Sequence, residues 1–222
     1  MTNKLILNET NFPDENFRKA LTEILGISEG DEITSTKIAA ITLLSVTDRE
    51  IADLTGIEHF TALKTLLCTF NRLVSLDVSK NTSLISLYCE NNQLTELDVS
   101  NNNVLVHLYC YGNRLTSLDV SKNTALKYLY CHRNQLTALD VSKNTALTSL
   151  DCGFNQLTSL DLSKNTALTW LWCPNNQLTE LDVTENQQLR GVCVDDNVEV
   201  YSSPNLQKEL NINRISYGNI LE

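Results

Sequence analysis

The spacing of the cysteines constrains the fold of this chain more than any other feature. Six of them lie 21 residues apart, each with an Asn three positions later and a Leu two and five positions earlier: Cys68, Cys89, Cys110, Cys131, Cys152 and Cys173. Residues 126–136 show the unit, which reads L-x-x-L-x-C-x-x-N-x-L. A short unit repeated in strict register predicts a stacked array, because one unit cannot bury its apolar face alone.

The pattern extends beyond these cysteines at both ends. Upstream, residues 41–46 fit the same frame, with Val46 in the Cys position. Downstream, residues 189–197 keep the spacing of 21, with Val194 rather than Cys193 in that position. We therefore expect a solenoid of about eight coils over residues 41–200.

Each unit also contains a shorter echo of itself. The first Asn is followed by L-x-x-L-x-V-x-x-N, as in residues 136–144. A half-repeat of this length holds one extended segment and one corner, but not a strand plus an α-helix of the usual length of about 11 residues. We therefore predict a mainly β fold, a flattened solenoid with parallel strands on both sides.

Alternation along the strands assigns the repeated side chains to the interior or the surface. The Leu residues and the register Cys or Val point inward. The thiols are expected to stay reduced, because side chains in register on parallel strands point the same way and not at each other. An outward Asp also repeats, from Asp77 to Asp182, but Ser, Thr and Lys follow it and can hydrogen-bond or neutralise it. No metal site is predicted there.

Both ends of a solenoid need covering, because the terminal coils would otherwise expose apolar surface. Residues 1–40 are predicted to form a helical N-terminal cap. Asp14 and Glu15, just after Pro13, are typical of a helix start, and Gly26 is typical of a helix end. Residues 201–222 lose the repeat and are predicted to form a C-terminal cap.

Charge and hydropathy limit the partners of the chain. There are 17 Lys and Arg against 27 Asp and Glu, a net charge of −10. This balance argues against nucleic acid and against an anionic membrane surface. No apolar run approaches the roughly 18–20 residues of a membrane span, so no membrane insertion is expected. The first eight residues do not resemble a secretion signal, which leaves open whether a leader was removed.

The repeat L-Y-C-x-x-N-Q-L-T-x-L-D-V-S-K-N-T-A-L resembles the leucine-rich repeats of bacterial proteins related to internalins and BspA-type surface antigens. That resemblance covers residues 41–200 and the segment before them. It implies a secreted or cell-surface protein that binds host or neighbouring-cell proteins through its strand face. Similar N-terminal caps carry a D-x-D-x-D-G calcium-like loop. Here Gly26, Ser28 and Gly30 fall where its acids belong, so calcium is not expected at this position.

The outward positions beside the register Leu and Cys hold the candidate ligand-binding face. Seven of the nine Tyr and Trp residues of the chain lie there, together with two of its three His residues. Aromatic pairs can stabilise a sheet by packing across strands, but a patch of exposed Tyr and Trp is more typical of a binding surface. The candidate residues are Tyr88, His107, Tyr109, Tyr111, Tyr128, Tyr130, His132, Asp151, Trp170 and Trp172.

Catalysis is not predicted. Cys193 is the only thiol expected to point outward, and His132 lies three coils away from it, at about 14 Å by strand spacing. The sequence contains no H-E-x-x-H motif, no phosphate-binding loop and no C-x-x-C motif, and no cofactor is predicted. Cys193 is instead interpreted as an exposed thiol that could oxidise or join two chains as a dimer.

Three functions remain open at this point. The first is a non-catalytic protein–protein recognition module, for adhesion or host interaction, whose partner is a host or extracellular-matrix protein. The second is a carbohydrate-binding module, because Trp and Tyr faces also stack on sugar rings. The third is a structural spacer within a larger surface protein.

Overall fold

The computed structural model of the chain describes residues 4–208 and 210–215. Two helices come first, α1 (Glu15–Leu25) and α2 (Ser35–Ala40). Helix α1 begins after Asp14, whose side chain accepts a hydrogen bond from the Phe17 N–H, and it ends at Gly26 in the left-handed conformation. Phe17 and Leu21 on its inner face are fully buried. Both helices lie within residues 1–40, the range predicted for a helical N-terminal cap.

The main sheet has nine parallel strands in chain order, one from each successive coil. Register holds each inward Leu opposite the next, as Leu66 lies opposite Leu87 and Leu108 lies opposite Leu129. The strands are β1 (Leu43–Ser45), β2 (Thr65–Leu67), β3 (Ser86–Tyr88), β4 (His107–Tyr109), β5 (Tyr128–Tyr130), β6 (Ser149–Asp151), β7 (Trp170–Trp172), β9 (Gly191–Asp195) and β11 (Asn211–Ile215). The predicted parallel β-solenoid of about eight repeat turns is confirmed.

The second side of the solenoid differs from the prediction of strands on both sides. Among the described residues, regular strand occurs there only as the parallel pair β8 (Glu180–Asp182) and β10 (Glu199–Tyr201). Elsewhere this side consists of turns and irregular extended chain. The outward Asp accepts the N–H two residues on along this side, as Asp77 Oδ1 does from Ser79 at 2.8 Å and Asp182 of β8 does from Thr184 at 2.9 Å. That interaction is therefore common to the strand pair and to the irregular coils.

The inward cysteines form a sealed column, as predicted. All six register thiols, from Cys68 to Cys173, are free and at most 1 % exposed. Some donate weak hydrogen bonds to the next coil, as Cys68 Sγ does to the Tyr88 carbonyl at 3.4 Å. Burial raises the pKa of Cys110 to about 12. These thiols are therefore protonated at neutral pH and act as core side chains.

Buried asparagines join the coils at each corner. In the first ladder, Asn92 Oδ1 accepts the Leu73 N–H at 3.0 Å, and its Nδ2 donates to the carbonyls of Cys68 and Cys89. In the second ladder, Asn102 Nδ2 donates to backbone carbonyls of the preceding coil. Each amide thus satisfies backbone groups that a tight corner would leave unpaired.

Candidate ligand-binding face

The outer surface of the main sheet presents three residues per coil, two from the strand and one just after the register Cys. Strand register aligns them into columns, and we call the three columns together the aromatic face. Over its central coils the first column is Ser86, His107, Tyr128, Ser149, Trp170 and Gly191; the second is Tyr88, Tyr109, Tyr130, Asp151, Trp172 and Cys193; the third is Glu90, Tyr111, His132, Gly153, Pro174 and Asp195. All ten residues of the sequence-based candidate site lie on this face.

The tyrosines and histidines of the aromatic face pack mainly on one another. In the second column, the Tyr88 and Tyr109 rings meet edge to face at 4.8 Å, and the Tyr109 and Tyr130 rings stack at 4.4 Å between centroids. His107 stacks on Tyr128 at 4.8 Å, and Tyr111 stacks on His132 at 4.2 Å. These rings are half-buried, so they present edges and hydroxyls to solvent rather than open faces.

Burial of the stack also affects its chemistry. Desolvation, reinforced by the neighbouring tyrosines, raises the pKa of Tyr109 to about 12. Its hydroxyl therefore stays protonated at neutral pH and can donate a hydrogen bond. Cross-strand packing, the alternative interpretation of these tyrosines, is thus part of their structural role.

The two tryptophans are the most open rings of the aromatic face. Trp170 is 58 % exposed and Trp172 is 39 % exposed. Each lies against a glycine: a Cβ on Gly191 would come within 2.3 Å of the Trp170 ring, and a Cβ on Gly153 would come within 3.0 Å of Trp172 Cδ1. The two glycines thus make room for the indoles against the sheet. Sequence reasoning missed this, although glycine beside tryptophan in adjacent coils was a readable signal.

Asp151 is the polar centre of the aromatic face. Its Oδ2 lies 3.0 Å from His132 Nδ1, and its Oδ1 accepts the Gly153 N–H at 3.2 Å. Beside it, the Tyr130 hydroxyl and Ser149 Oγ are 3.2 Å apart. The carboxylate is therefore held in a defined position by its own strand and by the neighbouring coil.

Glu90 is a further acidic residue that the candidate list omitted. It is only 8 % exposed, and its Oε2 is buried with no hydrogen-bond partner among the described residues. Desolvation raises its pKa, while its backbone N–H and the more distant His132 act in the opposite direction. A buried carboxyl with an unpaired oxygen is costly for the fold, and such a group is a marker of a functional surface.

The prediction of an exposed Cys193 thiol is wrong. Cys193 lies in the second column but is only 3 % exposed. The reason is β11, an unpredicted ninth strand of the main sheet, which places Asn213 directly beside it while Trp172 flanks the other side. Burial raises the pKa of Cys193 to about 11. A disulfide-linked dimer through this buried, protonated thiol is not supported.

Within residues 4–208 and 210–215, no helix has the length and apolar character of a membrane span. Nor do the same ranges contain a group of three or more His, Cys, Asp or Glu side chains placed to hold a metal ion.

Comparison with known proteins identifies the repeat. The family described as Leucine Rich repeats (2 copies) matches residues 124–165. Internalin J of Listeria monocytogenes is 44 % identical over 71 residues, which are 32 % of this chain and 8 % of that protein.

Solved structures agree with this identification. The functional domain of InlJ from Listeria monocytogenes, described as including a cysteine ladder, superposes with a TM-score of 0.67 at 35 % identity, over 88 % of this chain and 53 % of that one. A Leptospira interrogans leucine-rich repeat protein superposes with a TM-score of 0.66 at 22 % identity, over 81 % of this chain and 57 % of that one, and shares the fold.

The repeat, the stacked thiols and these similarities together support the class of bacterial internalin-like leucine-rich repeat proteins. It spans about half of the solved internalin J domain and a small part of the full internalin J sequence. The internalin-like leucine-rich repeat fold is generally used for protein–protein interaction, and proteins of this family are typically not enzymes.

Proposed function

We propose that this chain is a non-catalytic recognition module that binds a protein partner through its aromatic face. The observation that carries the proposal is the pair of exposed indoles, Trp170 and Trp172, on a face whose other rings are half-buried. Tryptophans anchor protein interfaces because they bury a large area while few rotatable bonds are fixed. We place this activity at the cell surface or in a secreted protein. Residues 41–200 are proposed as the binding array, and residues 1–40 and 201–222 are proposed as its caps.

The geometry divides the ten candidate residues into two roles. The seven Tyr and His rings from Tyr88 to His132 form a rigid base, since they already pack on one another. Trp170, Trp172 and the neighbouring Asp151 are the contact residues, because both indoles are exposed and the Asp151 side chain is 23 % exposed. A rigid base reduces the entropy that binding must offset, which favours affinity.

The proposal is tested by measuring binding of the immobilised chain to purified extracellular-matrix and serum proteins. A Trp170→Ala/Trp172→Ala variant is compared with wild type, and Phe70→Ala is the matched control. Phe70 is 58 % exposed, as Trp170 is, but lies at a corner outside the three columns. We expect the double variant to lose about 30-fold or more in affinity for a bound protein, and the control to lose little.

Two results would contradict the proposal. Binding to a glycan array that depends on both tryptophans, with no protein bound, would favour a carbohydrate-binding module. Binding of neither proteins nor glycans, or protein binding that survives the double substitution, would favour a structural spacer or a different contact surface.

A further inference from the structure

Strand β6 forms a gap in the aromatic face. Its coil presents Ser149, Asp151 and Gly153, which are all small, between two coils of rings. The neighbouring coils present Tyr128, Tyr130 and His132 on one side, and Trp170, Trp172 and Pro174 on the other. We call this recess, floored by the three small residues, the notch.

The rings on either side of the notch lean over its floor: the Tyr130 hydroxyl lies 3.2 Å from Ser149 Oγ, and Trp172 Cδ1 lies 3.0 Å from the position of a Cβ on Gly153. The second-column rings follow one another at 4.8 and 4.4 Å up to Tyr130, then Asp151 carries no ring, and Trp172 carries the next one. Strands β5 and β7 are two spacings apart, which is about 9–10 Å. A flat group that stacks on one ring needs about 3.5–4.0 Å from it, and Trp172, at 39 % exposure, keeps part of its ring open to such a contact. Asp151 lies at the floor of this space with its side chain 23 % exposed.

The charges of the aromatic face are one-sided. Over the described strands, its outward positions carry the carboxyls of Glu90, Asp151 and Asp195 and no Lys or Arg. Asp195 is satisfied within the fold, because it accepts the N–H groups of Asn175 and Asn176. Glu90 has an unpaired buried oxygen, and Asp151 has only an imidazole beside it. The face therefore combines open rings with acids that lack a permanent cation.

We propose that the notch binds the guanidinium group of an arginine that a protein partner presents, an inference that rests on the proposed recognition function. The guanidinium is planar, stacks on aromatic rings and pairs with carboxylates through its fork of N–H donors. It packs on the open part of the Trp172 ring and donates to Asp151. The compact ammonium of lysine makes the charge contact but not the stacking contact.

The test uses N-acetylarginine amide as the probe, with N-acetylcitrulline amide as its uncharged counterpart of nearly the same shape. The two indole N–H signals of the ¹⁵N-labelled chain report on binding, and Trp170→Phe assigns them. We expect the Trp172 signal to shift saturably with the arginine probe. We also expect about tenfold weaker binding of the citrulline probe, because it removes a charge-assisted pair.

Two variants locate the interaction. Asp151→Asn keeps an acceptor for the Gly153 N–H but removes the charge, and it should weaken arginine binding about tenfold. The matched control is Asp140→Asn, whose carboxylate also accepts an N–H two residues on but lies on the second side. It should leave probe binding unchanged. Thermal unfolding of each variant checks that the fold is retained.

The proposal is overturned if citrulline or N-acetyllysine amide binds as tightly as the arginine probe, or if Asp151→Asn has no effect. It is also overturned if methyl glucoside, a neutral sugar, shifts the Trp172 signal and the arginine probe does not. These outcomes are separable from failure of the recognition function. If protein binding depends on both tryptophans but no arginine binds, the recognition function stands and the notch proposal fails. If arginine binds but no protein partner does, the recognition function is not supported.

Discussion

The aromatic face and the second side of the solenoid share one repeat but use it differently. On the second side, the same outward Asp returns in each central coil and binds the N–H two residues on, as Asp98 does with Ser100 and Asp119 does with Ser121. On the aromatic face, the outward residue differs from coil to coil: in the second column, Tyr130 is followed by Asp151 and then by Trp172. A uniform column repeats one structural interaction, whereas a varied column defines a particular surface. The proposed binding surface therefore lies where the outward residues vary while the inward residues keep the period.

The largest expected effect concerns the framework that both sides share. Asn134→Ala removes an acceptor for the Leu115 N–H and donors to the carbonyls of Cys110 and Cys131, all buried. Because these backbone groups stay buried and unpaired, the free energy of unfolding should fall by about 3–5 kcal/mol. Urea unfolding followed by circular dichroism measures the loss. Asn103→Ala, at an exposed position, is the control and should change it by less than about 0.5 kcal/mol. Equal effects of the two variants would contradict the proposed role of the Asn ladder.

The next effect separates the two sides directly. The paired substitution of Trp170 and Trp172 by Ala should reduce partner affinity about 30-fold or more. It should lower the unfolding midpoint less than Asn134→Ala does, since both rings are partly exposed. By contrast, Asp119→Asn on the second side should leave affinity unchanged. Biosensor titration and thermal unfolding on the same samples measure both quantities. A larger loss of affinity for the second-side variant would reverse the assignment of the two sides.

A smaller effect tests the packing of an indole against a glycine. Gly191→Ala places a Cβ where the Trp170 ring now lies, so the indole must move away from the sheet. We expect a red shift of tryptophan fluorescence and a loss of partner affinity of about three- to tenfold, without removal of any ring. Gly30→Ala is the control, because a Cβ there meets no atom within 4 Å, although its positive φ adds strain. An unchanged spectrum for Gly191→Ala would show that the indole does not rest on that glycine.

The smallest effect concerns the charge of the second side. The Ser142 N–H, the Ser142 side chain and nearby Lys143 hold the pKa of Asp140 below its usual value. A carboxyl whose pKa is lowered by folding stabilises the fold above the unfolded-state pKa of about 4, and this contribution is lost as the pH falls through the folded-state value. Wild type should therefore be slightly more stable than Asp140→Asn at pH 7. The difference in thermal midpoint should disappear near pH 2, and a difference independent of pH would contradict the electrostatic explanation.

The sequence was sufficient for the period, the inward column and the residues of the aromatic face. These follow from strand alternation, because residues at i and i+2 share a side while the residue between them faces the other way. Thus Tyr128 and Tyr130 had to lie outward once Leu129 was assigned inward. The ring stacking was less predictable, since centroid distances depend on rotamers that the period does not determine.

Strand β11 escaped detection because its inward register position carries Arg214 instead of Cys or Val. The apolar pattern is broken there, yet Arg214 fits by donating to the carbonyls of Asp196 and Val198. The burial of Cys193 followed from this strand and was missed with it. Glu90 was missed for a different reason: its burial comes from neighbouring coils, and outward alternation alone predicted a solvated carboxylate.

The alternation that seals the thiols also exposes the indoles. Thiol labelling with a coloured disulfide reagent, together with acrylamide quenching of tryptophan fluorescence on one native sample, tests this most directly. None of the seven cysteines should react until the protein is unfolded, while both indoles should be quenched readily in the native state. Rapid labelling of the register thiols with shielded indoles would contradict it.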